Sequence, residues 1–130
     1  MSIRIVRLGS ARRRGEGPRL GAVRRPPRGV PKRDYARRDF YDAWLPELSP
    51  SQKWVSWATA QPWTDPRWRR FAASYRREMR TPGAAHLLEM LAALSRSANF
   101  SIGCYCEHEE RCHRSLLREL LRERGAHLAR

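Results

Sequence analysis

The spacing of apolar residues changes near Ser49 from irregular to helical, and this change limits what the chain can fold into. Before it, prolines and glycines interrupt the apolar runs, so short strands such as residues 2–8 are predicted there. After it, apolar residues recur three and four positions apart. This spacing predicts helices that begin at the Ser-Pro, Asp-Pro and Thr-Pro pairs at positions 49, 65 and 81.

The carboxyl-terminal part adds a strand, a loop and a last helix. Phe100 to Cys106 is an apolar run without a helical stripe, which predicts a buried strand. Cys112 to Arg124 is helical again, with leucines on one face and Gly125 at its end. Strands, helices and then a strand–loop–helix unit predict one three-layer α/β domain over residues 1–130 with a short, mainly parallel sheet. An arginine-rich loop and turn, residues 9–33, lies within it.

Positive charge is concentrated at the amino-terminal end. The chain has 27 basic residues, 25 of them arginine, against 13 acidic ones, and residues 1–38 carry +11 of the net +14. Phosphate groups bind such surfaces with release of counterions, and arginine pairs with phosphate through two hydrogen bonds. This charge predicts a polyanionic partner; a solvated basic surface is the alternative. The candidate phosphate ligands of the 24–33 turn are Arg24, Arg25, Arg28 and Lys32.

Three cysteines lie within nine residues, in the segment CYCEHEERCHRS at 104–115, which is not a disulfide framework. Cys104 and Cys106 fall at the carboxyl end of the predicted strand, where open α/β sheets bind their ligands. Cys112 falls in the first turn of the last helix, where the helix dipole and the neighbouring arginines favour a thiolate. We therefore expect Cys104 or Cys106 to come within bonding reach of Cys112. The candidate reactive groups are Cys106, Cys112 and His113.

Metal binding is a second interpretation of the same segment. The spacing C-x-C-x5-C-H supplies four ligand types that zinc accepts. Cys112 and His113, however, are adjacent helical residues and differ by about 100° in direction, so both do not readily reach one ion. No residue is therefore assigned as a metal ligand and no cofactor is predicted. A third interpretation is that the cysteines simply pack as small apolar residues.

His113 and Arg114 are expected to have different roles although they are neighbours. His113 shares the leucine face of the last helix, so we expect it to be buried and to brace the cysteine loop. Arg114 is expected to point across the strand ends, towards the cleft or a carboxylate such as Glu107 or Glu110, and to act as a further phosphate ligand. The five tryptophans between Trp44 and Trp68 are expected to pack in the core, with Trp63 the exposed exception.

The segment FSIGCYCEHEERCHRSLLRELLRERGA resembles the carboxyl-terminal motif of the uncharacterised bacterial family known as domain of unknown function 488. The shared pattern is an apolar strand, a cysteine-bearing loop and C-H-R at the start of the last helix. Upstream, IRIVRLGS, RRPPRGVPK, DAWLPELSPS and WRRFAASYRREM are similar to further segments of that family. The resemblance implies a Rossmann-like α/β fold and no established reaction.

The residues together predict a protein that binds a phosphate-bearing ligand, a nucleotide or a nucleic acid, in a cleft between the 24–33 turn and the 104–114 loop. The alternative is a thiol-redox or metal-binding protein that uses the cysteine cluster. Whether a reaction takes place is left open by the residues alone. No apolar run approaches 18 residues and no secretory signal is seen, so a cytoplasmic protein without a membrane partner is expected.

Overall fold

The computed structural model describes residues 1–130 and contains one sheet of four parallel strands. The strands are β1 (Ile3–Arg7), β2 (Arg19–Gly21), β3 (Ala43–Trp44) and β4 (Phe100–Cys104). Their order across the sheet is β1-β4-β2-β3, and every pairing is parallel. The predicted class, a Rossmann-like α/β fold with a short parallel sheet, is confirmed. β3 is the shortest strand, with only two residues, Ala43 and Trp44.

Four α-helices follow the period predicted from the sequence. They are α1 (Gln52–Thr59), α2 (Asp65–Glu78), α3 (Pro82–Leu94) and α4 (His113–Glu123). None of them has the length and apolar character needed to cross a membrane. One start differs from the prediction: Ser49 stays extended before Pro50, and Ser51 occupies the N-cap position of α1. α2 begins at Asp65 as predicted, and Thr64 caps it by accepting a hydrogen bond from the Arg67 amide.

The central strand β4 sits between β1 and β2, and all five of its residues are buried. Its side chains alternate between the two faces of the sheet. Phe100 and Ile102 join the main hydrophobic core, to which all four helices contribute. Ser101 points to the other face, where its hydroxyl donates to Glu16 of the 9–18 loop at 2.6 Å. The sheet is therefore the middle layer, with helices on one face and loop on the other.

A buried ion pair fixes the 9–18 loop against the sheet. Glu16 and Arg19 are both almost fully buried, and Arg19 Nε lies 2.6 Å from a Glu16 carboxylate oxygen. The same guanidinium donates through Nη1 to the carbonyl oxygens of Ser10 and Asp39, each at 2.8 Å. The positive charge of Arg19 thus stabilises the fold and is not available to bind a partner.

The tryptophans pack as expected, with one correction. Trp63 is half-buried because its ring lies edge-on against Trp68 and Phe71, at 5.4 Å between centroids in both cases. The exposed tryptophan is instead Trp44, which keeps 42% of its surface accessible. Its position on the edge strand β3 explains the exposure, while its indole nitrogen donates to the Val23 carbonyl at 2.7 Å.

Candidate functional site

A cleft of about 470 Å³ lies beyond the carboxyl ends of β2 and β4. As predicted, the 24–33 turn and the loop after β4 face each other across it. Its 18 lining residues include four arginines and no aspartate or glutamate. The charged and polar part of the lining contains Arg24, Arg25, Arg28 and Arg111; the apolar part includes Val23, Val55, Trp63 and Phe71.

Three cysteines form one cluster in the wall of this cleft. Cys104 ends β4, Cys112 caps α4, and Cys106 lies in the loop between them. All three sulfur atoms are within 4.8 Å of one another, and those of Cys104 and Cys112 are 2.9 Å apart. The expected approach of the strand end to the helix start is therefore found. Cys104 and Cys112 are buried, whereas Cys106 is exposed.

The cluster stabilises a thiolate at Cys112. Hydrogen bonds from the thiols of Cys104 and Cys106 hold the pKa of Cys112 far below its usual range, although burial opposes this effect. The amide of Arg114 also donates to the Cys112 sulfur, at 3.5 Å. The pKa of Cys104 is raised because its thiol is engaged by Cys106 and Cys112 and is buried. These contacts favour a single negative charge in the cluster, located on the sulfur of Cys112.

His113 braces the start of α4 against the sheet. Only 8% of its surface is exposed, and Nε2 lies 2.7 Å from the carbonyl oxygen of Ala22, just after β2. Because a carbonyl oxygen only accepts, Nε2 carries a proton, and Nδ1 lies 3.8 Å from the Cys112 sulfur. Burial lowers the pKa of His113, although the hydrogen bond to Ala22 and the charge of Cys106 oppose this effect. The expected burial and backbone hydrogen bond are both found.

Arg114 does not reach the cleft, contrary to the prediction. The loop after β4 covers the first turn of α4 and leaves only 4% of Arg114 exposed. Its Nη2 donates to the Cys106 carbonyl at 2.7 Å, and its Nε is buried without a hydrogen-bond partner. Burial alone would lower the pKa of Arg114, but the charge and hydrogen bonding of the cysteine cluster raise it. The guanidinium is thus the positive neighbour of the thiols.

The basic residues of the 24–33 turn divide into two groups. Arg24, Arg25 and Arg28 line the cleft, and Arg24 is held by the carbonyl oxygens of Pro50 and Ser49 at 3.1 and 3.2 Å. Lys32 was predicted to join them but lies elsewhere. It begins a short 3₁₀ turn, Lys32–Asp34, which carries it into a separate depression beside Trp44.

Sequence reasoning missed Arg111 and Tyr105 as cleft residues. Arg111 lines the cleft and pairs with Asp65 at 2.7 Å, so it links the cysteine loop to the start of α2. Tyr105 donates its hydroxyl hydrogen to the Arg25 carbonyl at 2.9 Å and so ties the two walls together. In the sequence, Arg111 could have been identified as a cleft residue because it is adjacent to Cys112. Tyr105 could not, since a single aromatic residue at a strand end usually only packs.

A parallel sheet with a thiol cluster and an arginine-lined cleft at its strand ends defines a Rossmann-like α/β protein with a candidate ligand site. Comparison with protein families agrees with this class: the model described as "Active DUF488-N3 subclade" matches residues 3–125. The chain therefore belongs to the domain of unknown function 488 family. No curated protein and no solved structure matches it.

Proposed function

We propose that the cleft binds a phosphate-bearing ligand of about nucleotide size. The observation that carries the proposal is the charge of the lining, which has four arginines and no carboxylate among 18 residues. Arginine is suited to phosphate because its planar group donates two parallel hydrogen bonds. Open α/β sheets bind their ligands beyond the carboxyl ends of the strands, the position that this cleft occupies.

The size and the apolar part of the cleft support a nucleotide rather than a bare anion. A volume of about 470 Å³ falls in the range of sites for small organic ligands, roughly 300–1,000 Å³. Trp63, which is only half-buried, offers aromatic surface on which a base would pack. Arg28 lines the cleft and is exposed, so it is free to reach a phosphate. The ligand would thus place its phosphate on the arginines and its ring on the aromatic wall.

Two arginines are already held in position before a ligand arrives. Arg24 is fixed by backbone carbonyls, and Arg111 by Asp65 at the rim. A side chain that is ordered beforehand loses less entropy on binding. Asp65 is exposed and lies outside the lining, so a phosphate would compete with it for Arg111. We assign Arg28 and Arg25 the main phosphate contacts and Arg24 and Arg111 the orientation of the ligand.

The same chemistry accommodates a free nucleotide or one nucleotide of a nucleic acid strand. The basic surface of residues 1–38 outside the cleft would add phosphate contacts in the second case.

The three cysteines are free thiols, which suits the reducing cytoplasm as the place of action.

The test is the double substitution Arg25→Ala with Arg28→Ala. It should weaken the binding of a nucleoside monophosphate, followed by calorimetry, by about 100-fold, since a hydrogen bond to a charged group contributes at least about 1.5 kcal/mol. For a labelled single-stranded oligonucleotide, two lost contacts should reduce the slope of log K against log salt by about 1.4.

Arg38→Ala is the matched control, because Arg38 is exposed in the same basic region and lies outside the cleft. It should leave nucleotide affinity unchanged. Lys32→Ala should do the same. Equal losses in the control and in the double variant would show that only the general positive charge matters, and would contradict the proposal. A change seen with the oligonucleotide alone would favour a nucleic acid over a free nucleotide.

A further inference from the structure

We infer that Cys104, Cys106 and Cys112 bind one zinc ion, whose fourth coordination position opens on the cleft. The inference is independent of which ligand the cleft takes, since it rests on the cysteine cluster and on Arg114. Zinc is the metal of choice for such a group, because thiolates are soft ligands and zinc accepts three or four of them in tetrahedral geometry.

The positions of the three sulfurs agree with tetrahedral coordination. Zinc–sulfur bonds of about 2.3 Å at tetrahedral angles place the ligand sulfurs about 3.8 Å apart. Here all three lie within 4.8 Å of one another. The close pair, Cys104 and Cys112 at 2.9 Å, has to separate to admit the ion. Cys106 is exposed in the loop, so its side chain is able to adjust to the ion.

The charge around Arg114 agrees with a metal-bound cluster. A buried guanidinium is costly without a nearby negative charge. Arg114 is buried, yet its hydrogen bond goes to a carbonyl oxygen, no carboxylate pairs with it, and its Nε has no partner. Three thiolates and one divalent ion carry a net charge of minus one. The metal-bound cluster would therefore keep one negative charge beside Arg114, as the Cys112 thiolate does in the metal-free protein, although no carboxylate pairs with this guanidinium.

The fourth position is left for a molecule from the cleft. His113 is not the fourth ligand, since its ring nitrogens fall outside the group of atoms that lie within 4.8 Å of one another. It lies beside the cluster and is hydrogen-bonded to the Ala22 carbonyl. Residues that support metal ligands are often held by such hydrogen bonds. All three cysteines line the cleft. A zinc ion with three protein ligands keeps an open position for water or for an oxygen of a bound ligand.

Titration of the reduced full-length protein with Co²⁺, a spectroscopic substitute for zinc, tests the inference. The expected result is one equivalent bound, with a thiolate-to-cobalt charge-transfer band in the near ultraviolet that disappears when Zn²⁺ is added. Cys106→Ser should weaken Co²⁺ binding by more than about 100-fold. The loss of a residue that only supports the metal ligands would weaken it by about 10- to 100-fold. His108→Ala, in the same exposed loop, is the matched control and should bind as the wild type does.

Two results would overturn the inference. The first is the absence of a charge-transfer band in the reduced wild-type protein. The second is an equal loss of affinity in His108→Ala and Cys106→Ser, which would assign the metal to the loop surface. If Cys106→Ser does not fold, alkylation of the wild-type protein followed by mass spectrometry decides the question. Zinc should then protect Cys106, and unchanged alkylation in its presence would also overturn the inference.

Discussion

The sulfur of Cys112, at the cap of α4, lies 2.9 Å from the sulfur of Cys104, at the end of β4. The end of the central strand and the start of the last helix therefore meet at one point, in the wall of the arginine-lined cleft. Cys112 also serves as the helix cap, accepting from the Arg114 amide through a sulfur atom rather than through the usual oxygen. Helix start, thiol cluster and cleft are thus one structural unit.

The buried pair Glu16–Arg19 should dominate the stability of the amino-terminal loop. Glu16→Gln leaves the fully buried Arg19 without its charge partner and should lower the free energy of unfolding by about 3–5 kcal/mol. Urea denaturation at neutral pH measures the change. Arg37→Ala, which removes an exposed pair with Asp34, is the control and should stay within about 0.5 kcal/mol of the wild type. Similar values for the two variants would contradict this assignment.

The same carboxylate predicts how stability depends on pH. Burial alone would raise the pKa of Glu16, but hydrogen bonds from Arg19 and Ser101 lower it to about 2, from 4.5 when unperturbed. Its contribution is therefore fully present above pH 4.5. It is lost as the pH falls towards 2, because the unfolded state takes up the proton first. Urea midpoints between these values should fall more steeply for the wild type than for Glu16→Gln. Parallel curves would show that Glu16 is not the responsible group.

His113→Ala tests the bracing role of the histidine. The substitution leaves the Ala22 carbonyl without its donor and opens space beside Tyr75. We expect a loss of about 1–3 kcal/mol in the free energy of unfolding, the usual range for an unsatisfied buried group. His108→Ala, on the exposed loop, should have almost no effect. A histidine that only took part in chemistry would instead leave the melting temperature unchanged on substitution.

Two glycines offer a matched test of how closely β4 packs. A Cβ at Gly103 would collide with the Val6 carbonyl oxygen on β1, and backbone cannot move aside as a flexible side chain can. Gly103→Ala should therefore destabilise the protein by about 1–3 kcal/mol. Gly83, in α3, has open space around its Cα, and Gly83→Ala should raise stability by up to about 1 kcal/mol. Thermal melting would contradict this interpretation if both variants changed in the same direction.

The sequence predicts the elements of this fold well because their signals are local. β4 reads as an apolar run and α4 as a leucine stripe, and both have the expected structure. The meeting of the 24–33 turn with the cysteine loop was also foreseen, since loops that follow parallel strands share one edge of the sheet.

The errors concern where individual side chains point, which depends on structure distant in sequence. Lys32 leaves the cleft because a 3₁₀ turn begins there, and Arg114 is buried because the loop after β4 covers it. Glu16 and Arg19 look like solvated charges in a glycine-rich loop. They are buried only because Ser101, 85 residues further on, brings the sheet against them. No local pattern carries that information.

Amide chemical shifts of the isotope-labelled protein, titrated with a nucleoside monophosphate and separately with the same nucleoside, test the proposed function most directly. The structure of the cleft predicts saturable shifts with the nucleotide, largest in residues 24–28 and 104–113, and much weaker binding of the nucleoside, which lacks the phosphate for the arginines. Equal binding of the two compounds, or nucleotide shifts scattered over the basic amino-terminal surface with none at the cleft, would contradict it.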